Sequence, residues 1–114
     1  MKRTFTVIGL GAFGSTVARE LARLGNDVLG IDLDPEHVNA IADDITQAVV
    51  ADARNEDTLR DLGVHDSDAV VVAIGEDLEA NILVTLTVKN MPKPEVWAKA
   101  CLLYTSDAAD EEDS

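Results

Sequence analysis

The stretch VIGLGAFGSTVAREL, residues 7–21, places three glycines between an apolar, β-branched run and a segment of helical periodicity. Gly9, Gly11 and Gly14 have the spacing G-x-G-x-x-G, which lets a chain turn sharply from strand into helix and approach a pyrophosphate closely. Asp32 follows 21 residues after Gly11, at the end of the next apolar run, where a carboxylate can accept hydrogen bonds from ribose hydroxyls. This context predicts a dinucleotide-type phosphate turn. The alternatives are a glycine turn in a non-binding α/β unit and a solvated strand-end carboxylate.

Apolar, strand-like runs alternate with amphipathic helical segments along residues 4–100. Short connections and right-handed crossovers then give parallel strands with helices on both faces. Gly25 and Gly63 stand where two of the helices are expected to stop. The sequence therefore predicts an α/β fold, a Rossmann-like doubly wound parallel sheet of order 3-2-1-4-5, with strands at 4–9, 27–32, 48–51, 69–75 and 95–100 and helices at 13–24, 35–41, 55–62 and 76–90.

The chain is strongly acidic, with 22 Asp and Glu against 9 Lys and Arg and a formal net charge of −13. Five acids lie in residues 101–114, which leaves 17 acids and a charge of −8 in residues 1–100. Such a domain repels nucleic acid and anionic membranes. With no bilayer-length apolar run and no signal-peptide pattern, we expect a cytoplasmic protein. Cys101, His37 and His65 offer no metal-ligand spacing. His37 is expected on a solvated helix face, with contact to a nucleotide as the alternative, and His65 is expected in a surface loop.

Two further strand ends belong to the same crevice, because ligands of such sheets lie beyond the carboxyl ends of the strands. Asp52 is a candidate to accept from an adenine amino group or to steady its loop, with capping of the short helix that follows as the alternative. Ala53 and Ile74 are candidates to pack on the base, while Gly75 either borders the site or only ends its strand. Arg54 is a cation near the expected phosphates, with an exposed loop arginine as the alternative.

Four motifs occur together in the sequence: GLGAFG after strand one, an Asp followed by a helix after strand two, ADA after strand three, and VVAIGED with Asn81 four positions beyond Asp77. They lie in FTVIGLGAFGSTVARELARLGNDVLGIDLDPEHVNAIAD, ADARNEDTLRDLGV and DAVVVAIGEDLEANILVTLTVKN, and there the chain closely resembles the TrkA-N family. These are the N-terminal nucleotide-binding halves of RCK domains, the regulators of potassium conductance. The resemblance covers residues 3 to about 100. It implies a nucleotide site made by Gly9, Gly11, Ala12, Phe13, Gly14, Asp32, Leu33, Asp52, Ala53, Arg54, Ala73, Ile74 and Gly75.

The resemblance implies a cytoplasmic regulatory subunit of a bacterial potassium channel or transporter, held at the inner face of the membrane by its partner. Such domains bind ATP and ADP or NAD and NADH, form dimers and then rings, and are not enzymes; the charge of Asp32 disfavours NADP. Two other functions remain open. One is the cofactor half of a truncated NAD-dependent dehydrogenase, although no acid or base for hydride transfer stands out. The other is a scaffold with an inactive nucleotide site.

One departure from the family bears on the choice of nucleotide. Relatives that favour ATP commonly carry arginine where this chain has Ala12, and without that guanidinium a γ-phosphate loses a bidentate partner. Arg54, where the family often has a small hydroxyl residue, is a candidate replacement. We therefore expect a weaker preference for ATP, and the choice among ATP, ADP and NAD(H) stays open.

The last segment, CLLYTSDAADEEDS (101–114), resembles the conceptual translation of a transposase adapter used in preparing sequencing libraries. We interpret it as non-native, with a natural acidic tail as the alternative, and assign residues 1–100 to one nucleotide-binding domain that ends before the family's last helix and strand. Strand five then becomes an exposed edge, and we expect lower stability and self-association. The apolar residues expected to lose part of their cover are Ile82, Leu83, Leu86 and Val88.

Overall fold

The computed structural model describes residues 3–75, 77–91 and, by their backbone, 95–98. Strands and helices alternate along these residues. The strands are β1 (Thr4–Ile8), β2 (Asp27–Asp32), β3 (Gln47–Val50), β4 (Ala69–Val72) and β5 (Glu95–Ala98). The helices are α1 (Ala12–Arg23), α2 (Pro35–Ile41), α3 (Glu56–Asp61) and α4 (Leu78–Lys89), and a short 3-10 turn occupies Val64–Asp66.

All neighbouring strands run parallel, in the order β3-β2-β1-β4-β5. This confirms the predicted fold class and strand order. β1 is central, with Val7 opposite Gly30 of β2 and Val71 of β4. The chain winds outward in opposite directions from β1 and β4, so the carboxyl ends of these two strands flank the crevice where such sheets bind ligands.

The core has two layers because successive residues of a strand face opposite sides of the sheet. On one side Val7 packs with Ala18 of α1 and Ile41 of α2. On the other side Ile8 and its neighbours in β2 and β4 pack with α3 and α4, in a cluster that includes Leu59 and Val84. Each such fully buried side chain contributes about 1.5–3 kcal/mol of transfer free energy, and together the two layers hold the strand ends in fixed relative positions.

Two glycines end helices as the sequence predicts. Gly25 follows α1 with φ +95°, and its N–H donates to the Ala22 carbonyl at 3.0 Å. Gly63 follows α3 with φ +79°, and its N–H donates to the Arg60 carbonyl at 3.0 Å. Positive φ is accessible to glycine without a Cβ penalty, so both predicted stops are confirmed.

The fourth strand is shorter than the sequence predicts, because it ends at Val72 and not at residue 75. The N–H of Ala73 still donates to the Ile8 carbonyl at 2.7 Å. The carbonyl of Ile74 accepts a hydrogen bond from the side-chain amide of Asn81 at 2.9 Å. A side chain of α4, and not a strand, therefore satisfies this carbonyl. The segment 73–75 therefore belongs to the rim of the crevice. Predicted strand residues 99–100 and the segment 101–114 lie outside the described residues.

Helix α4 is apolar around most of its circumference, which leaves part of it uncovered. Ile82, Leu83 and Leu86 are about half exposed, as expected from the sequence. For Val88 the expectation of lost cover is wrong, because this residue is fully buried in the core on the β4 side. Within the described ranges, no helix combines the length and apolarity that crossing a membrane requires.

Candidate functional site

A cleft of about 620 Å³ opens at the carboxyl ends of β1 to β4. Every residue predicted for the nucleotide site lines it except Gly14. Sequence reasoning missed other parts of its wall. The additional lining residues are Ile8, Ile31, Asp34, His37, Ala51, Asp77, Ala80 and Val84.

Two of the three fingerprint glycines are required by the packing of the protein itself. Gly9 has φ +97°, and a Cβ there would lie 2.8 Å from the Ala73 carbonyl oxygen. A Cβ on Gly14 would lie 1.7 Å from the carbonyl oxygen of Gly9. Gly14 therefore lies beneath the turn, where it lets α1 pack against the sheet. The sequence predicts Gly14 to be a ligand-binding residue, but it is not among the residues that line the cleft.

Gly11 differs from the other two glycines. Its φ of −70° and ψ of −159° are open to any residue, and a Cβ there would meet nothing within 4 Å. Nothing in the described structure therefore requires glycine at this position. Gly11 lines the cleft, so a side chain there would project into space that a ligand close to the backbone would need.

The start of α1 differs from the starts of the other described α-helices in having no side-chain cap. Its N-cap is Gly11, no side chain caps it, and its first turn contains no acid. Each of the other described α-helices has a side-chain cap, supplied by Asp34, Asn55 and Asp77 respectively. An uncapped helix start and the positive end of the helix dipole favour the binding of an anion. The residues at this end, from Gly11 to Phe13, line the cleft.

Asp32 ties the glycine turn to the end of β2. Its Oδ2 accepts from the Leu10 N–H at 2.6 Å, and its Oδ1 accepts from the Asp34 N–H at 2.8 Å. The side chain is only 14% exposed, which fixes the carboxylate at the mouth of the cleft. A carboxylate offers about four lone-pair sites, so it can accept further hydrogen bonds from a ligand hydroxyl.

His37 lines the cleft while its side chain stays 41% exposed, which favours the alternative that it reaches a ligand over the expected solvated helix face. Its Nδ1 lies 3.1 Å from Asp32 Oδ2, and its ring lines the cleft. The reason is local: the N-cap Asp34 begins α2 directly after β2, so the first turn of the helix returns over the strand end. The five-residue spacing from Asp32 is the signal that could have indicated this placement. His65 is not among the cleft-lining residues.

Asp52 and Arg54 form a two-bond ion pair at the opposite rim. Arg54 Nε donates to Asp52 Oδ1 at 3.0 Å, and Arg54 Nη2 donates to Oδ2 at 2.9 Å. These side-chain hydrogen bonds lower the pKa of the Asp52 carboxyl and raise that of Arg54. Asp52 does not cap α3, because Asn55 Oδ1 accepts from the Thr58 N–H there. Among the described lining residues, Arg54 is the cation with a permanent charge.

The 73–75 rim is held from both sides. The backbone of Gly9 closely approaches Ala73, and the buried Asn81 donates from Nδ2 to the Ile74 carbonyl at 2.9 Å. Asn81 is only 6% exposed, so it fixes the wall where a base could pack. The cleft thus combines an uncapped helix start, a fixed carboxylate and apolar walls. Among the described residues, no group of three or more metal-ligating side chains comes together.

Comparison with known proteins identifies a family. The TrkA-N domain matches residues 5–111, which is nearly the whole chain. The Ktr system potassium uptake protein A of Bacillus subtilis (strain 168) is 44% identical over 102 residues, covering 90% of this chain and 46% of that protein. The Ktr system potassium uptake protein C of the same bacterium is 40% identical over 100 residues, covering 88% and 45%. The chain therefore spans about half the length of these relatives.

A solved structure supports the same assignment. The NAD(P)-binding domain of an exopolyphosphatase-related protein from Archaeoglobus fulgidus superposes with a TM-score of 0.72 at 28% sequence identity. The match covers 84% of this chain and 71% of that one.

Proposed function

The chain belongs to the TrkA-N domain family, and from this we propose that it binds an adenine nucleotide and thereby regulates potassium uptake through a membrane transport protein. The observation that carries the proposal is Gly11. This glycine has ordinary dihedral angles and no protein atom near its missing side chain. It lies where an uncapped helix start faces the cleft. A phosphate close to the backbone accounts for both features.

The site accommodates a nucleotide in one orientation. Phosphate groups lie at the start of α1, over Gly11 and Ala12. The ribose hydroxyls donate to Asp32, which is 14% exposed and already positioned by the Leu10 N–H. The base lies between the walls that carry Ala53 and Ile74. This orientation accounts for the glycine at position 11 and for the uncapped start of α1, neither of which the packing of the protein requires.

The ligand is NAD(H) or an ATP/ADP pair. The carboxylate of Asp32 repels a 2′-phosphate, so NADP binds less well. No guanidinium stands at position 12, and Arg54 is held by Asp52 at 2.9 Å. A γ-phosphate must therefore compete with that carboxylate for the cation, which lowers the preference for ATP. The A. fulgidus protein described as an NAD(P)-binding domain supports the nucleotide class.

The role is regulatory and not enzymatic. The relatives that match most of the chain are named as potassium uptake proteins of the Ktr system. We propose a bacterial, cytoplasmic, homo-oligomeric subunit that forms dimers and rings against the inner face of a membrane channel or transporter. A nucleotide that bridges the strand ends favours one of two oligomer shapes. It shifts their balance by no more than its difference in affinity for the two.

Calorimetry on the 114-residue chain tests the proposal with NAD⁺, NADH, ATP, ADP and AMP. We expect at least one nucleotide to bind, and Gly11→Val to abolish binding. The free energy of unfolding should change by about 1 kcal/mol or less, since the new side chain enters open space. Ala40→Val is the matched control, because Ala40 is exposed on α2 and outside the cleft.

Two outcomes would contradict the proposal. If the folded chain shows no heat with any of the five nucleotides, the cleft is not a nucleotide site. If Gly11→Val binds as tightly as the parent chain, the phosphates do not lie at the start of α1.

A further inference from the structure

We propose that His37 determines specificity at the ribose, and that protonation of its ring makes the site tolerate a phosphate on the ribose 2′-hydroxyl. The inference rests on the proposed function, because it requires the ribose to lie at Asp32. Neither the family match nor the relatives' names assign a role to this residue.

The geometry defines the proton positions on the ring. His37 Nδ1 lies 3.1 Å from Asp32 Oδ2, and an ionised carboxylate only accepts hydrogen bonds. Nδ1 therefore carries a hydrogen, and in the neutral ring Nε2 has the lone pair. Nε2 lies 3.8 Å from Asp34 Oδ2. A second proton thus enters between two carboxylates, at a ring that is 41% exposed and lines the cleft.

Protonation changes the charge of this corner without moving the backbone. With a neutral ring, Asp32 and Asp34 present two negative charges where a 2′-phosphate would lie. With a charged ring, one of the two is compensated. In such sheets a nearby arginine, which is a cation, accommodates a 2′-phosphate. Histidine is the side chain whose charge ordinarily changes between about pH 5 and pH 8.

Other charged groups stand around the ring in the described part of the chain. Glu36 adjoins it on α2, and Asp52, Arg54 and Asp77 stand on the other cleft walls. The strand β3 contains no titratable residue. From α1, Arg19 is bound to Asp44 at 2.9 Å. Carboxyl and guanidinium groups ordinarily titrate outside about pH 5–8. His37 is therefore the member of this set that switches.

Calorimetry with NAD⁺ and NADP⁺ isolates the effect, because the two ligands differ only in the 2′-phosphate. The ratio of their affinities is measured at about pH 8 and about pH 5.5 for the parent chain, His37→Asn and His37→Lys. The Asn variant also registers the protonation of the phosphate itself, whose second pKa is about 6. His65→Asn removes the other histidine, which does not line the cleft, and serves as the control.

We expect the parent chain to discriminate against NADP⁺ like the Asn variant at the higher pH and to resemble the Lys variant at the lower pH. From the higher to the lower pH, the ratio of NAD⁺ affinity to NADP⁺ affinity should fall about fivefold more in the parent chain than in the Asn variant. This is the order expected for one partly exposed ion pair. His65→Asn should behave as the parent chain. Equal pH dependence in the parent and in His37→Asn would overturn this inference and leave the proposed function intact. Absence of binding by both ligands at both pH values would overturn the proposed function and the inference together.

Discussion

The helices α1 and α4 begin at the ends of the neighbouring strands β1 and β4, and both helix starts border the same cleft. They are built in opposite ways. At α4, Asp77 Oδ1 accepts from the Ala80 N–H at 3.0 Å, and Glu79 adds an acid to the first turn. At α1, Gly11 supplies no cap and the first turn contains no acid.

The two helix starts differ in whether a side chain of the protein stabilises them. An N-terminal cap satisfies free N–H groups and offsets the helix dipole, typically by about 1 kcal/mol. Helix α4 obtains this stabilisation from its own side chain. Helix α1 lacks such a cap and begins at the cleft, and in the proposed function a bound anion supplies this stabilisation. The contrast can be tested with substitutions that disrupt the start of either helix, or that give α1 the kind of cap that α4 has.

The largest expected effect comes from Gly14→Ala. The added methyl group would lie 1.7 Å from the Gly9 carbonyl oxygen, so the turn and the helix cannot both keep their positions. We expect a loss of about 3 kcal/mol or more in the free energy of unfolding, at or above the usual cost of overpacking. Urea denaturation measures it.

Gly11→Ala is the matched control for that experiment, because a methyl group there meets nothing within 4 Å. Its free energy of unfolding should stay within about 0.5 kcal/mol of the parent value. Equal losses in the two variants would mean that the close contact of Gly14 with Gly9 does not determine the packing of α1.

Gly11→Asp gives α1 the kind of cap that α4 already has. The new carboxylate can accept from the first-turn N–H groups, so we expect stability to rise by a few tenths of a kcal/mol. It also occupies the anion site and repels phosphate, so nucleotide affinity should fall by about tenfold or more, which is ~1.4 kcal/mol. Thermal melting and calorimetry on the same sample follow the two effects.

Ala40→Asp adds the same charge on an exposed part of α2 outside the cleft, and it should leave affinity within about twofold. A Gly11→Asp variant that binds as tightly as the parent would show that the uncapped helix start does not hold the phosphates.

Asp77→Ala removes the cap of α4 and should cost about 1 kcal/mol of stability. Asp77→Asn keeps an acceptor in the same place, and asparagine caps as well as aspartate, so it should recover most of the loss. Chemical denaturation of the pair separates the cap hydrogen bond from the negative charge. Similar losses in both variants would assign the effect to the charge and not to the bond with the Ala80 N–H.

The fold and much of the cleft follow from patterns that are local in the sequence. Alternating strand and helix periods predict the sheet order, and Gly9, Gly11 and Asp32 are found from their spacing. The end of β4 was harder to predict, because its apolar run continues to Gly75 while the amide of Asn81 takes the Ile74 carbonyl. That hydrogen bond joins two residues seven positions apart, and the pattern of apolar residues does not predict it.

The side-chain partners within the site were the least predictable part. From the sequence, Asp52 is predicted to accept from a base, to steady its loop or to cap α3, and Arg54 is predicted to be a separate cation. The structure joins the two through a pair of hydrogen bonds. The position of His37 depends on the angle at which α2 leaves β2. Such contacts depend on rotamers and interhelix geometry, which residue types and spacing constrain only weakly.

The smallest effect concerns the acidic side of the cleft, where the start of α4 faces Arg54. Asp52 is the main cause of the raised Arg54 pKa, and Asp77 and Glu79 add to it. Because the side-chain hydrogen bonds from Arg54 hold the pKa of the Asp52 carboxyl below its usual value, the pair stabilises the fold at pH values above that usual value. The contribution is lost as the pH falls through the lowered value. Both side chains are largely exposed, so the effect is small. Asp52→Asn should melt slightly below the parent at neutral pH, and the two curves should converge in acid. If the difference in melting temperature between the parent and Asp52→Asn widened in acid, the ionised form of Asp52 would not be the stabilising one. The ion pair between Asp52 and Arg54 would then not stabilise this side of the cleft.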